Sequence, residues 1–304
     1  MSEKYAFIDA EYATTPAADR TAGTAPRIPR MCTWLGVSKS GFYEWRTRPQ
    51  SPTAARRELL EVKIKALFQA NDATYGYRRL HAALLRGGEQ VSLELVRRLM
   101  RQLGLVACQP RPWRKTTIPG QEPGTAPDRV ARDFTATEPG TKLVGDITYV
   151  RTWAGWLYLA TVIDCFNKEV LGYAMAEHLR TELVTDALDM AARNHVLAQE
   201  CIFHSDRGTQ YTSVAFSEKL AELGMRQSLG RTGICYDNAM AESFFAALKN
   251  ELIYRTVYPT RKKAAADIAR YIELFYNSRR LHSKLGYRTP REVRIEHSNQ
   301  RMAA

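Results

Sequence analysis

The sequence of 304 residues lacks paired cysteines, long apolar runs and a signal segment. Its five cysteines are scattered and never form a C-x-x-C pair, so reduced thiols are expected instead of a disulfide framework or a zinc knuckle. No apolar run reaches the ~18 residues of a membrane span, and the N-terminus has no signal-peptide core. We therefore expect a cytoplasmic protein with no membrane contact.

Positive charge is distributed unevenly along a chain whose net charge is +12. Residues 27–115 contain 18 Lys and Arg against 6 Asp and Glu, residues 141–250 contain 10 against 13, and residues 251–304 contain 12 against 5. Two basic flanks around a mildly acidic middle indicate a polyanion that the flanks bind and the middle processes. Nucleic acid is the partner we expect, and a basic surface that serves only solubility is the alternative.

The front of the chain predicts an arm followed by helices. Residues 1–28 show no periodic pattern, which is typical of a weakly ordered arm. Residues 29–108 predict an all-helical region, which opens with a turn at Gly36 and an N-cap at Ser38. This order is typical of a helix-turn-helix, whose second helix can enter a major groove, and a plain helical hairpin is the alternative. That second helix carries three candidate DNA contacts, Lys39, Tyr43 and Arg46.

A second helix-turn-helix-like unit follows, with Ser92 as an N-cap and Gly104 as a C-cap. Its two helices carry paired arginines that suit phosphate binding, although solvated helix faces would show the same pattern. These arginines are Arg78, Arg79, Arg97 and Arg98. Residues 109–140 are rich in Pro, Gly and Thr and predict an extended linker.

From Thr141 the pattern changes to strands. Three runs joined by tight turns predict an antiparallel meander, and two further short strands alternate with helices. Residues 141–255 therefore predict a mixed five-stranded sheet with helices on its faces, an α/β or α+β architecture. Residues 256–304 predict a basic helical extension of this core.

One acid, Asp146, interrupts the first strand run. A carboxylate buried there without a partner costs several kcal/mol, so it is either hydrogen-bonded at a strand edge or a metal ligand. Asp206 ends the fourth strand run, and Glu242 lies one turn into the helix after the last strand. Acids so placed can converge at one edge of a sheet. Three such carboxylates would hold two Mg²⁺ ions for in-line phosphoryl transfer.

Residues around these acids are further candidates. Asn238 and Lys249 lie four residues before and seven residues after Glu242, on the same helical face, where a lysine could hold a phosphate. A solvent-facing lysine is the alternative. Asp164 also ends a strand, and we interpret it as a structural turn residue. His204 is either a neighbour of the acids or a packed structural histidine.

Four strings of the sequence are informative together: DITYV, HSDRGTQYTS, DNAMAESFFAALKNEL and YNSRRLHSKLGYRTP. They resemble the integrase-core DDE transposases of bacterial insertion sequences, specifically the second-frame proteins of the IS-three family, which are related to retroviral integrases. The resemblance extends over about residues 30–295 and implies helix-turn-helix units in front of an RNase H-like catalytic core. Leu143 and Cys235 depart from the common pattern at positions that affect packing and loop shape, and the zinc-binding module of retroviral integrases is absent.

The resemblance also implies roles for individual residues. It matches Asp146, Asp206 and Glu242 to the catalytic, metal-binding acids and Lys249 to a basic residue seven positions after the glutamate. Asn238 and Tyr211 fall on motif positions that frame the site and the DNA. The implied cofactor is a pair of Mg²⁺ ions, with Mn²⁺ as a substitute.

The function implied is that of a DNA transposase, a polynucleotidyl transferase that cleaves and joins the ends of its insertion sequence. Its expected partners are the terminal inverted repeats, target DNA and further copies of itself, which would make it nucleoid-associated. No sustained leucine heptad occurs at the front of the chain, so an upstream-frame partner protein is expected to supply oligomerisation. A catalytically silent DNA-binding regulator and a structure-selective RNase H-fold nuclease are the alternatives. The intact acid triad disfavours the first, and the two basic helical units disfavour the second.

Overall fold

The computed structural model describes residues 1–16, 27–108, 126–230 and 238–303. The chain divides into two compact units, Met1–Lys63 and Ile64–Ala304. No helix in the described part is long and apolar enough to span a membrane. The helices of the N-terminal third are α1 (Ser2–Thr14), α2 (Ile28–Trp34), α3 (Lys39–Thr47), α4 (Pro52–Ala70), α5 (Tyr77–Arg86) and α6 (Leu93–Gln102).

Helix α1 shows that the prediction of a weakly ordered arm over residues 1–28 was wrong for its first half. Tyr5 and Ile8 are buried in the core of the first unit, where they pack with Phe42 of α3. The Trp45 indole Nε1 donates a hydrogen bond of 3.2 Å to the hydroxyl of Ser2. Only two α1 side chains are buried, so the sequence shows little helical periodicity. This helix is stabilised by a tertiary partner.

The helix ends in the basic region follow the predicted caps. Gly36 adopts a φ of +62° in the turn between α2 and α3, and the Ser38 hydroxyl accepts a hydrogen bond of 3.3 Å from Gly41 N. The Ser92 hydroxyl likewise accepts a hydrogen bond of 3.3 Å from Leu95 N at the start of α6. Gly104 follows α6 with a φ of +63°, a conformation that favours glycine.

The second unit contains the predicted sheet. Its strands are β1 (Lys142–Thr152), β2 (Gly155–Asp164), β3 (Val170–Ala176), β4 (Ile202–Ser205) and β5 (Arg226–Leu229). They are ordered β3-β2-β1-β4-β5. The first three strands pair antiparallel, and β4 and β5 each pair parallel to the preceding neighbour in the sheet. The mixed five-stranded sheet and the antiparallel meander are therefore confirmed.

Helices cover both faces of the sheet. They are α7 (Thr181–Asn194), α8 (Val214–Glu222), α9 (Ala239–Glu251), α10 (Arg261–Arg270) and α11 (Pro290–Ala303). Helices α7 and α8 form a core with alternate residues of β1, β2 and β4, including Leu143, Val162 and Phe203. On the opposite face, α10 continues into a π-helical segment, Tyr271–Tyr276. The side chain of Asn277, the next residue, accepts a hydrogen bond from Val170 N and donates one to the Val170 carbonyl.

Part of the predicted linker packs against the sheet. Residues 109–125 lie outside the described residues, whereas Arg129 N donates a hydrogen bond of 2.9 Å to the Ser228 hydroxyl on β5. Val130 is buried. The second half of the predicted linker is therefore part of the compact unit, because it forms a hydrogen bond with β5 and contributes a buried apolar side chain. The other boundaries predicted from the sequence stay predictions.

Candidate active site

Asp146 and Asp206 lie side by side because their strands pair in parallel. Leu143 of β1 pairs with Phe203 of β4, and Val144 pairs with His204. The pairing ends there, but extending its register by two residues aligns Asp146 with Asp206, which directly follows the end of β4, and the charge of Asp206 acts on Asp146. Neighbouring strands are about 4.8 Å apart, and matched positions of a parallel pair project from the same face. Two acids sixty residues apart in sequence are therefore neighbours on the central strands, where β4 ends beside β1.

The backbone beside Asp146 is packed tightly. A Cβ atom on Gly145 would lie 2.3 Å from the Phe203 ring, so only glycine fits between this ring and β1. The Asp146 Oδ1 accepts a hydrogen bond of 2.8 Å from Ile147 N, and the Asn238 amide donates one of 3.1 Å to the Gly145 carbonyl. These contacts hold β1 in place at the carboxylate.

Asp206 is oriented by the glycine turn that follows it. Its Oδ1 accepts a hydrogen bond of 3.0 Å from Gly208 N, and a Cβ on Gly208 would lie 3.1 Å from the same oxygen. The Arg207 Nε donates a hydrogen bond of 2.7 Å to the Gly230 carbonyl, which ties this turn to the end of β5. Asp206 is exposed to solvent and available to a ligand.

Glu242 lies in the first turn of α9, exposed to solvent. Asn238 is the N-cap residue of this helix, but its side chain makes no capping bond and instead bonds β1 beside Asp146. The other amide atom, Asn238 Oδ1, is buried and has no hydrogen-bond partner among the described residues. The start of α9 is thus anchored to the strand that carries the first acid.

The electrostatics of the site are those of crowded acids. Burial raises the pKa of Asp146 to about 8, with a further contribution from the negative charge of Asp206 and a smaller one from Glu242. Although the Glu242 side chain is exposed, partial desolvation of its carboxylate also raises its pKa. In the described ranges, no three His, Cys, Asp or Glu side chains lie close enough to hold a metal ion. The charges of both Asp206 and Glu242 nevertheless act on Asp146, so the three acids belong to one electrostatic site.

Lys249 lies beside the acids, as its spacing from Glu242 predicted. It is half-buried, and burial lowers the pKa of its ammonium group, while the negative charge of Asp146 opposes this shift. Its Nζ lies 5.6 Å from the centre of the Tyr149 ring. Lys249 therefore joins the acid site to the aromatic side chains at the far end of β1.

Tyr211 corrects the expectation of a DNA contact. It is buried among Phe203 and Phe216 with 2% of its surface exposed. Burial raises the pKa of its hydroxyl well above the usual value, and the charges of Asp146 and Asp206 add to the shift. Tyr211 is therefore a core residue near the two aspartates and not a DNA contact.

The predicted DNA contacts in the helical region fall into two groups. Six side chains are exposed: Lys39, Tyr43, Arg46, Arg78, Arg97 and Arg98. Two of them form surface ion pairs, Arg46 with Asp9 of α1 at 3.0 Å and Arg97 with Glu94 at 3.3 Å. Arg79 is different because it is partly buried and engaged by the core. Arg79 donates a hydrogen bond of 3.1 Å to the Leu281 carbonyl and lies 3.5 Å from Glu251. The prediction that it contacts a DNA phosphate is therefore wrong, because its guanidinium is engaged within the protein.

Asp164 and His204 are structural residues. The Asp164 carboxylate accepts hydrogen bonds from Gly140 N at 3.2 Å and from Phe166 N at 2.9 Å, as expected of a turn residue. His204 is buried, and its Nδ1 lies 2.8 Å from the Ser228 hydroxyl. Neither side chain is a ligand candidate.

Sequence reasoning missed a buried ionic network at the other end of α9. The Glu251 carboxylate accepts hydrogen bonds from Arg280 at 2.6 and 2.8 Å and from the Tyr271 hydroxyl at 2.7 Å. No sequence signal distinguishes Glu251 from a solvent-facing helical glutamate, because its partners lie 20 and 29 residues further along the chain.

Known protein families match most of the chain. A model of the integrase core domain matches residues 136–235, a second one matches residues 223–290, and an HTH-like domain matches residues 54–113. The chain is 39% identical to the "Insertion element IS600 uncharacterized 31 kDa protein" of Shigella sonnei, over 87% of this chain and 97% of that protein. It is 35% identical to the "Transposase InsF for insertion sequence IS3A" of Escherichia coli K12, over 87% and 93%. The chain belongs to the IS-three family of insertion-sequence transposases.

One further relative and one solved structure are also similar to this chain. This transposase is 36% identical to the "Transposase for insertion sequence element IS904" of Lactococcus lactis, over 81% of this chain and 97% of that protein. Among solved structures, the catalytic core domain of HTLV-2 integrase in complex with magnesium has a TM-score of 0.41 at 14% identity, covering 52% of this chain and 98% of that one. The predicted family, the integrase core and the transposase activity are confirmed, and the HTH-like domain indicates DNA binding.

Proposed function

We propose that Asp146, Asp206 and Glu242 are the catalytic acids with which this transposase cleaves the ends of its insertion sequence and joins them to target DNA. One observation carries the proposal. The parallel register of β1 and β4, extended by two residues, aligns two acids that are distant in sequence, in the middle of β1 and just after β4. Helix α9, which carries Glu242, begins with Asn238 bonded to β1 next to Asp146. All three acids are thereby associated with the middle of β1.

The donor set fits a divalent cation. All three predicted ligands are carboxylates, and Mg²⁺ prefers oxygen ligands. Burial and neighbouring negative charge raise the pKa of Asp146 to about 8, a cost that a bound dication would remove. The buried Asn238 Oδ1, which lacks a partner in the described ranges, adds another oxygen near β1. We infer that the site takes two Mg²⁺ ions and that Mn²⁺, which accepts the same oxygen ligands, can replace them.

Bound Mg²⁺ would supply Lewis-acid stabilisation of the attacking and leaving oxygens in an in-line phosphoryl transfer. The chain itself contributes position. The backbone bonds at Ile147 and Gly208 orient the two aspartates. Lys249 presents an ammonium group beside Asp146, where it is suited to hold a phosphate oxygen of the DNA.

DNA recognition is assigned to the helical region. Lys39 and Tyr43 are exposed on α3, where a helix-turn-helix would read base edges of the terminal inverted repeats. Arg78, Arg97 and Arg98 are exposed on α5 and α6 and suit phosphate contacts. We further propose that the protein acts in the cytoplasm at the nucleoid, as a homo-oligomer on DNA, with an upstream-frame protein as a partner.

The test is a strand-transfer assay with oligonucleotides that carry the element end, in Mg²⁺. Asp206→Asn is expected to abolish cleavage and joining while leaving binding to the end intact. Glu218→Gln, which removes an exposed carboxylate on α8, serves as the matched control and should retain activity. Near-normal joining by Asp206→Asn would refute the assignment. Cleavage without joining by the wild type would favour the nuclease alternative, and neither reaction by the wild type would favour the silent regulator.

A further inference from the structure

The β1–β2 hairpin presents large aromatic side chains to solvent beyond the acid site. Trp153 is 77% exposed, Tyr149 58% and Trp156 45%. The Tyr149 and Trp156 rings pack edge to face with their centres 5.1 Å apart. Exposed aromatic side chains that cluster in this way mark interaction surfaces in soluble proteins.

The hairpin is held rigidly by the C-terminal extension. Trp153 N donates a hydrogen bond of 3.0 Å to the Tyr258 carbonyl, and the Arg261 Nε donates one of 3.0 Å to the Trp156 carbonyl. Gly155 adopts a φ of +108°, and a Cβ there would lie 2.7 Å from the Arg261 guanidinium. These contacts fix the hairpin in place. A ligand that stacks on its rings would therefore bind without a large entropic cost for ordering the hairpin.

Cations accompany the rings. Arg151 is exposed and pairs directly with Trp156 across the two strands. Lys249 lies with its Nζ 5.6 Å from the centre of the Tyr149 ring, and its charge also acts on Asp146. Fixed aromatic rings interleaved with cations are the arrangement by which proteins bind unpaired nucleic-acid strands.

We propose that this surface, defined as Tyr149, Arg151, Trp153 and Trp156 and called the hairpin platform, stacks unpaired bases at the DNA end. The proposal rests on the proposed function, because it places the platform beside the strand that the acids process. Tyr149 follows Asp146 by three residues, so the two side chains project from opposite faces of β1, about 10 Å apart along the strand. Lys249 connects them, because its Nζ lies 5.6 Å from the centre of the Tyr149 ring and its charge also acts on Asp146. A DNA strand that passes Lys249 would bring the bases next to the reacting phosphate onto the platform.

The chemistry of the platform favours bases over a second copy of the chain. Its four side chains are three aromatic rings and one guanidinium, with no aliphatic side chain among them. A docking surface for another protein would gain from any apolar side chain of similar size, whereas base stacking requires a flat ring. Replacement of a ring by an aliphatic side chain therefore separates the two occupants.

The experiment uses the full-length protein and four variants. Trp153→Leu and Trp156→Leu remove the ring and keep an apolar side chain, and Trp153→Phe and Trp156→Phe are matched controls that keep a ring. Each protein is assayed for strand transfer with a fully paired element end and with an end whose last three base pairs are mismatched. A terminal 2-aminopurine reports stacking through the quenching of its fluorescence.

We expect each Leu variant to reduce strand transfer of the paired end about tenfold, as the loss of one stacked base predicts. The Phe variants should remain within about twofold of the wild type, because a ring still supports stacking. Mismatched ends should restore part of the activity of the Leu variants, since their bases are already unpaired. Quenching of 2-aminopurine should be lost in the Leu variants alone.

Two outcomes would overturn the proposal. One is unchanged quenching and strand transfer in both Leu variants. The other is a change of oligomeric state in sedimentation, with quenching intact, which would identify a second copy as the occupant. Asp206→Asn separates this proposal from the proposed function, because it should abolish joining and preserve quenching. Normal joining by Asp206→Asn would refute the function without affecting the stacking result.

Discussion

Helix α9 carries two glutamates in opposite circumstances. Glu251, near its C-terminal end, is buried and bonded by Arg280 and Tyr271, with Arg79 at 3.5 Å. Glu242, in its first turn, is exposed, and its charge adds to that of Asp206 in raising the pKa of Asp146. A carboxylate that the protein neutralises with its own arginines is part of the fold. A carboxylate placed near other acids requires a cation from outside, as a catalytic ligand does.

The network at Glu251 also connects the helix-turn-helix-like domain to the catalytic core. Arg79 belongs to α5, and the Tyr75 hydroxyl just before it donates to the Arg279 carbonyl at 2.8 Å and accepts from Leu281 N at 2.9 Å. These bonds join segments about 200 residues apart within the second compact unit. We propose that the buried end of α9 serves stability and the exposed end serves chemistry, and measurements on variants can test this division.

The largest expected effect is on activity. Glu242→Gln should reduce strand transfer by at least about a thousandfold, since a lost metal ligand removes several kcal/mol of transition-state stabilisation. Its free energy of unfolding should stay within about 0.5 kcal/mol of the wild type, because the side chain is exposed. The rate of strand transfer and the free energy of unfolding in urea are measured on the same preparation. A large loss of stability would mean that this end of α9 is structural as well.

The second prediction concerns the buried end. Glu251→Gln should lower the free energy of unfolding by about 3–5 kcal/mol, because it leaves the buried Arg280 without its counter-charge. Urea denaturation measures the change, and Glu242→Gln on the same helix is the matched control. An unchanged unfolding midpoint would show that the network contributes nothing to stability and that the contrast between the two glutamates is wrong.

The third prediction concerns pH. Because folding raises the pKa of Asp146 from 3.8 to about 8, the folded state binds the proton more tightly than the unfolded state. In metal-free buffer, this residue should lower stability progressively as the pH rises from about 4 to about 8. Asp146→Asn should remove this decline, and Mg²⁺ should reduce it in the wild type. Urea unfolding at several pH values measures the decline. If the free energy of unfolding fell equally steeply with pH in the wild type and in the variant, the raised pKa of Asp146 would be contradicted.

The smallest effect compares two arginines predicted from the same pattern. Arg98 is exposed on α6, so Arg98→Ala should weaken binding to all DNA sequences and lower the slope of log K against log salt by about one. Arg79→Ala should leave the slope unchanged and reduce stability, because this side chain is engaged by Glu251 and Leu281. Binding across a salt series distinguishes the two. A lower salt slope with Arg79→Ala would show that Arg79 contacts a DNA phosphate after all.

Much of the fold could be predicted because its signals are local. Strand runs, turn glycines and the caps at Ser38 and Ser92 depend on residues within a few positions of one another, and the structure agrees with them. The positions of Asp146 within the first strand and of Asp206 after the fourth belong to the same class of signal. Sequence alone therefore determined the order of the five strands and the candidate acids.

The tertiary structure decided which similar residues differ in role. Helix α1 forms because Phe42 of α3 gives Tyr5 and Ile8 an apolar partner. Tyr211 lies in the core instead of on the DNA surface, and Arg79 is held by Glu251 while Arg98 stays exposed. Burial and ion pairing depend on groups that are distant in sequence and adjacent only after folding, so no local pattern contains them.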